Sequence, residues 1–158
     1  MIDPELARFL EGPVMMLVAA RGADGGPVLG RGLGCAVEGP RELRFNVGAR
    51  QWADVLAGLA SGDVVALTFV RPSDYRAVQI KGPLLALTDG DAQDDARAAA
   101  YRDSVIAGLG AQGVPQAQLD QWVGLEPVAV LRVRAEAIFE QTPGERAGQP
   151  LGEPGAMA

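Results

Sequence analysis

Arg41-Glu42-Leu43-Arg44-Phe45-Asn46-Val47-Gly48-Ala49-Arg50-Gln51-Trp52-Ala53-Asp54-Val55-Leu56-Ala57-Gly58-Leu59 is the stretch on which the reading of this chain turns. Leu43, Arg44 and Phe45 alternate apolar and polar, the pattern of a half-buried strand end. Asn46-Val47-Gly48 is a turn, because Asn tolerates the left-handed region and Gly enters it freely. The period then changes: Trp52, Val55, Leu56 and Leu59 recur at helical spacing, and Gly62 is a stop signal. A strand that turns through Gly into a helix leaves unpaired backbone N–H groups, which attract anions. Arg50 lies there with a planar fork of donors suited to phosphate. Two readings of Arg50 stand side by side: a solvated residue opposing the helix dipole, or one held there by a visiting anion.

Working toward the N-terminus, Pro27 to Val37 reads as a strand in which Gly30, Gly32, Gly34 and Ala36 share one face. Glycines weaken a strand, so something needs the room: a flat ligand, a second copy of the chain, a tight barrel bend or a close-packed helix. Ala23-Asp24-Gly25-Gly26 is a hairpin signal joining it to the apolar run Val14–Ala20. Asp3-Pro4-Glu5 opens a short helix that Gly12-Pro13 ends. Cys35 reads as a small buried hydrophobe.

Toward the C-terminus, Asp63–Val70 is a strand rich in β-branched residues, and Arg71-Pro72-Ser73-Asp74 is a turn. Tyr75–Leu87 reads as a long strand, bent at Gly82-Pro83, on which Gln79 and Lys81 share a face. Helices follow over 91–109 and from Pro115, the second carrying Trp122, and the last strand spans Val128–Phe139. The tail, 140–158, is rich in Gly and Pro and is expected to lack regular structure, either free or draped over a surface. The pattern predicts one domain over 1–158, mainly β with α additions: a small six-stranded antiparallel barrel with peripheral helices.

Composition narrows the chemistry. A chain of 158 residues with 48% hydrophobic residues is long enough for a real core. A net charge of −6 without a basic block argues against nucleic acid or an anionic membrane surface as partner. No apolar run reaches membrane-spanning length and no signal-peptide pattern is visible, so the expectation is a soluble cytoplasmic protein. The chain has one cysteine and no histidine. That removes Ser-His-Asp and Cys-His catalysis and His-based metal or haem ligation.

With these elements in place, the order resembles the pyridoxamine 5'-phosphate oxidase-like family, the FMN-binding split β-barrel. Asn46-Val47-Gly48-Ala49-Arg50-Gln51 is similar to the family's Asn-Leu-Gly-Ser-Arg-Lys, and Val64-Val65-Ala66-Leu67-Thr68-Phe69 and Tyr75-Arg76-Ala77-Val78-Gln79-Ile80-Lys81-Gly82 resemble two of its barrel strands. The resemblance covers roughly residues 10–90 and, more loosely, the last strand. It implies a homodimer with FMN at the subunit interface and Arg50 on the FMN phosphate. Ala49 and Gln51 stand where the family has Ser and Lys. Arg31 is the candidate for a second anchor. Arg44 and Phe45, before Asn46, would touch the cofactor through backbone, and Gln79 completes the candidate set. Trp122 either covers a flavin edge or is ordinary helix core. The implied activity is flavin-dependent oxidoreduction of an unknown small molecule, with no catalytic side chain and no metal, because the ring carries the chemistry. The vitamin-forming oxidase uses an Arg and a His near its C-terminus, and a chain without His does not carry that substrate over. The alternative is a non-catalytic module that binds or stores flavin, deazaflavin or haem, haem being the weakest for want of His.

Overall fold

Leu43, Phe45 and Val47 are wholly buried, and the strand they define is where the fold closes. In a computed structural model, which describes residues 1–151, this strand, β3 (Glu42–Gly48), pairs antiparallel with β2 (Pro27–Val37) on one side and β6 (Val128–Arg134) on the other. β2 continues to β1 (Met15–Arg21), β1 to β4 (Val64–Val70), β4 to β5 (Ala77–Asp89), and β5 back to β6. These six strands form the closed antiparallel split barrel expected from the pattern. Phe45 and Phe69 meet edge to face inside it, with ring centroids 5.9 Å apart.

The split lies at Gly82-Pro83. The N-terminal half of β5 pairs with β4, the C-terminal half with β6, and a further strand, β7 (Ala137–Glu140), pairs with residues 78–81. The single last strand expected over Val128–Phe139 is therefore two, β6 and β7, broken at Ala135-Glu136. Gly82 is the reason the halves can cross so closely: a Cβ there would overlap the carbonyl oxygen of Arg134.

The helices are α1 (Pro4–Leu10), α2 (Ala53–Ala57), α3 (Ala92–Ala111) and α4 (Gln116–Trp122). α1 starts as its Asp-Pro sequence dictates, with Asp3 accepting the Leu6 N–H. α3 begins with a capping box between Asp91 and Asp94, a signal its Asp-rich start contains. No described helix is long and apolar enough to cross a membrane.

Further expectations need correction. Asn46-Val47-Gly48 is not a turn: all three residues belong to β3 and pair with β6, and the turn spans residues 49–52. The glycine face of β2 does not persist, because the ladder to β3 is irregular between Gly32 and Cys35 and Gly34 takes φ +106°. Gly30 and Gly32 point at Val18, Trp52, Phe45 and Met16, while Gly34 lies against Arg97 and Tyr101 of α3. The bare face is thus filled by the chain's own core and helix, and offers no contact for a second copy. Tyr75 does not begin a strand; it sits exposed in the preceding turn at φ +58°, and β5 starts at Ala77. The tail, by contrast, lacks regular structure as expected, and of the two alternatives it is the draped one through its described part. Leu151 donates to the Ile138 carbonyl, Gly148 to that of Glu140, and Glu140 to that of Gln149, so the segment folds back along β7. Residues 152–158 of the tail lie outside the described residues.

Candidate functional site

The end of β3 delivers the decisive turn. Gly48 is the last residue of that strand, paired with Val128 of β6, and the Ala49 N–H donates to the Pro127 carbonyl at 3.0 Å. This register places the segment just before β6 beside the turn that follows β3. Glu126 consequently lies over Gly48, where a Cβ would overlap its carboxylate.

The turn does gather anion donors. The backbone N–H groups of Arg50 and Gln51 and the Nε of Arg50 converge on one point, at 3.2, 3.1 and 3.3 Å from the oxygens they meet. Those oxygens belong to Glu126. The Glu126 side chain is 10% exposed, while that of Arg50 is 77% exposed, so the guanidinium reaches from solvent over a sheltered carboxylate. Beside it opens a solvent-facing cleft of about 460 Å³, lined by Arg50, Gln51, Gln121, Gly124, Leu125 and Glu126. Gln51 reaches across toward α4, donating weakly to the Gln121 carbonyl at 3.5 Å.

Of the residues singled out from sequence, Ala49, Arg50 and Gln51 form this turn. Arg31 and Trp122 come together separately, the guanidinium 5.0 Å from the indole centroid, and Trp122 is half-buried against the core. Arg31 lies on a row that runs straight across the barrel's outer face: Arg31, Leu17, Thr68, Gln79 and Phe139 are register partners on β2, β1, β4, β5 and β7. Gln79 is held there by donating to Thr68 Oγ1 at 3.1 Å.

Arg44, Phe45 and Asn46 are employed elsewhere. Phe45 is core, and the backbone of all three runs between two partner strands, β2 and β6, instead of facing an open site. Arg44 and Asn46 face α3. Arg44 makes a two-pronged ion pair with the fully buried carboxylate of Asp94, which Arg97 also approaches at 2.6 Å. The Arg44 guanidinium foremost, helped by the Asp91 N–H and by Arg97, outweighs burial and holds the Asp94 carboxyl well below the usual carboxylate range. Asn46 donates to the Asp94 carbonyl at 3.0 Å, and its own Oδ1 is buried without a partner. These residues strap α3 to the barrel. Cys35 is buried, and desolvation pushes its thiol far above the ordinary range, which leaves it inert.

Sequence reasoning missed Glu126. Its only signal is an acidic residue directly before Pro127 and the last strand, and that becomes meaningful once β6 is known to lie beside β3.

The chain's fold is found in solved structures. HupZ from Group A Streptococcus is 19% identical over 94% of this chain and 100% of its own, with a TM-score of 0.55. A protein named as an F420 reductase is 18% identical over 86% of this chain and 98% of its own, with a TM-score of 0.50. A third, described as a putative pyridoxamine 5'-phosphate oxidase from Lactobacillus delbrueckii, is 16% identical over 87% of this chain and 92% of its own, with a TM-score of 0.49. No family model and no curated protein matches the sequence. At these identities the likeness to the first two is one of fold alone.

Proposed function

We propose that this chain is a homodimeric flavin-binding protein of the pyridoxamine 5'-phosphate oxidase-like family, and that it holds FMN with the phosphate at the Arg50–Gln51 turn and acts as an oxidoreductase on a small molecule. The observation that carries the reading is the convergence of two backbone N–H groups and the Arg50 guanidinium on one anion at the end of β3. The Glu126 carboxylate is a stand-in for an oxyanion, and its contacts support the donor set as chemically suited to a phosphate oxygen. Arg50 and the N–H groups of Arg50 and Gln51 would hold the phosphate once Glu126 moves aside. When bound, FMN supplies the electron and hydride chemistry through its ring. The chain's own residues bind and orient: the Trp52 N–H, donating to the Gly48 carbonyl, closes the turn, and Gln121 of α4 lines the cleft.

The dimer reading rests on the outer face of the barrel. Leu29 and Val64 are 64% and 65% exposed there, both to one side of the row of Leu17, Thr68 and Phe139. An exposed apolar sheet face of this kind is the usual mark of an association surface. Arg31 lies on it, which would bring a second guanidinium toward a site shared between protomers.

The reading is tested by the visible absorbance of the purified protein, followed by mass spectrometry of what denaturation releases. Flavin bands and a released mass of FMN support it. A colourless protein that also fails to take up added flavin refutes it. A deazaflavin in place of FMN would be recognised by the same measurement.

A further inference from the structure

Glu126 does more than mark the site. Pro127 is tied to the Ala49 N–H, and this backbone bond fixes the preceding residue over Gly48. From there both carboxylate oxygens are used: Oε1 accepts the Gln51 N–H, and Oε2 accepts the Arg50 N–H and Nε. Three donors that a phosphate would use, the Arg50 and Gln51 N–H groups and the Arg50 Nε, are already taken by an anion that is covalently part of the chain. A carboxylate and a phosphate cannot share these donors, because like charges at such separation repel. A tethered ligand also competes at high effective concentration.

We propose that Glu126 is an intramolecular competitor for the cofactor phosphate, and so a residue that sets how strongly the site prefers a phosphate-bearing flavin over a phosphate-free one. The inference rests on the reading that the turn receives a flavin phosphate. With Glu126 in place, a phosphate gains the donors only by displacing the carboxylate, and much of its advantage cancels. The isosteric Gln offers one acceptor oxygen where the carboxylate offers two, and carries no charge. Ala offers none.

The experiment compares affinities for FMN, riboflavin and inorganic phosphate in the full chain and in Glu126→Gln and Glu126→Ala. FMN should tighten by about tenfold or more in both variants, the scale of removing one charge-assisted competitor. Riboflavin affinity should stay put. Inorganic phosphate, followed by the amide resonances of Arg50 and Gln51, should titrate the variants at correspondingly lower concentration. An FMN-to-riboflavin ratio unchanged in both folded variants, or FMN weakened by them, overturns the proposal. If neither flavin binds any form while phosphate binds the variants more tightly, the flavin reading fails and the competition stands. In the unsubstituted chain, the side-chain carboxyl carbon resonance of Glu126 should shift on saturation with phosphate. A resonance that does not move while phosphate perturbs the Arg50 amide also overturns displacement, and this arm needs no variant to fold.

Discussion

Removing the Asp94 carboxylate should be among the most damaging single changes in this protein. Asp94 is fully buried, receives two nitrogens of Arg44 and one of Arg97, and closes the capping box of α3 through the Asp91 N–H. Asp94→Ala leaves the Arg44 guanidinium, whose side chain is 20% exposed, with only Asp91 at 3.4 Å and Glu38 at 4.0 Å. Breaking a buried pair costs about 3–5 kcal/mol, and these residual partners put Arg44 at the lower end, about 3 kcal/mol. Loss of the reciprocal half of the capping box, the Asp91 N–H donating to Asp94, adds about 1 kcal/mol, while the Asp91 cap itself remains. Urea unfolding at pH 7 should therefore show a loss of about 4 kcal/mol, a midpoint shift of about 2 M for a slope of about 2 kcal/mol/M. Asp94→Asn, which keeps shape and one acceptor, should cost less. The pH dependence has a definite sign. The folded carboxyl titrates below its unfolded value, so its stabilisation is fully present above the unfolded pKa of about 3.9 and is lost as pH falls from there toward the folded pKa. The Asp94→Ala chain should lack that acid-dependent component. A loss under about 1 kcal/mol at pH 7 with unchanged acid dependence would refute the view that this network straps α3 to the barrel.

Three further outcomes follow from the same geometry. Gly82→Ala should cost several kcal/mol by thermal or urea unfolding, because its Cβ meets the Arg134 backbone rather than a movable side chain; a variant as stable as the parent would mean the β5 crossing relaxes freely. Ending the chain after Glu140 should strip the outer edge of β7 of its partners at Ile138 and Glu140 and promote concentration-dependent association beyond a dimer, seen by light scattering; a truncated chain that scatters like the parent would mean that the edge is protected without the tail. Light scattering of the full chain at micromolar concentration should give a dimer, and Leu17→Arg on the outer face should give a monomer; a dimer untouched by that change would place the interface elsewhere.

Much of the barrel is legible in the sequence because its strands announce themselves locally. Alternation on β3 and β5, the β-branched run of β4, the Asp-Gly-Gly hairpin and the Gly-Pro bend each report a short-range constraint. What the sequence hides is what depends on register. The glycines of β2 look like one open face until the irregularity at Gly34 rotates it, and Phe45 and Trp52 then account for the room. Arg44 and Asn46 look like cofactor neighbours because they sit beside the motif, but alternation turns their side chains to α3, and the partner Asp94 lies 50 residues away in sequence from Arg44. The donors at Arg50 and Gln51 are legible from strand, turn and helix alone. Their present partner, Glu126, is legible only from the pairing of Gly48 with Val128.

Whether the Arg50–Gln51 turn receives the phosphate of a bound flavin is decided by titrating FMN with the protein and following the quenching of flavin fluorescence, for the parent chain and for Arg50→Ala. Arg50→Ala also loosens Glu126, so the expected loss sits at the low end of a charge-assisted bond, about 1.5 kcal/mol or about tenfold in Kd. The parent chain should quench saturably and the variant should show that weakening; no saturable quenching, or equal affinity in the two proteins, would rule out phosphate binding at this turn.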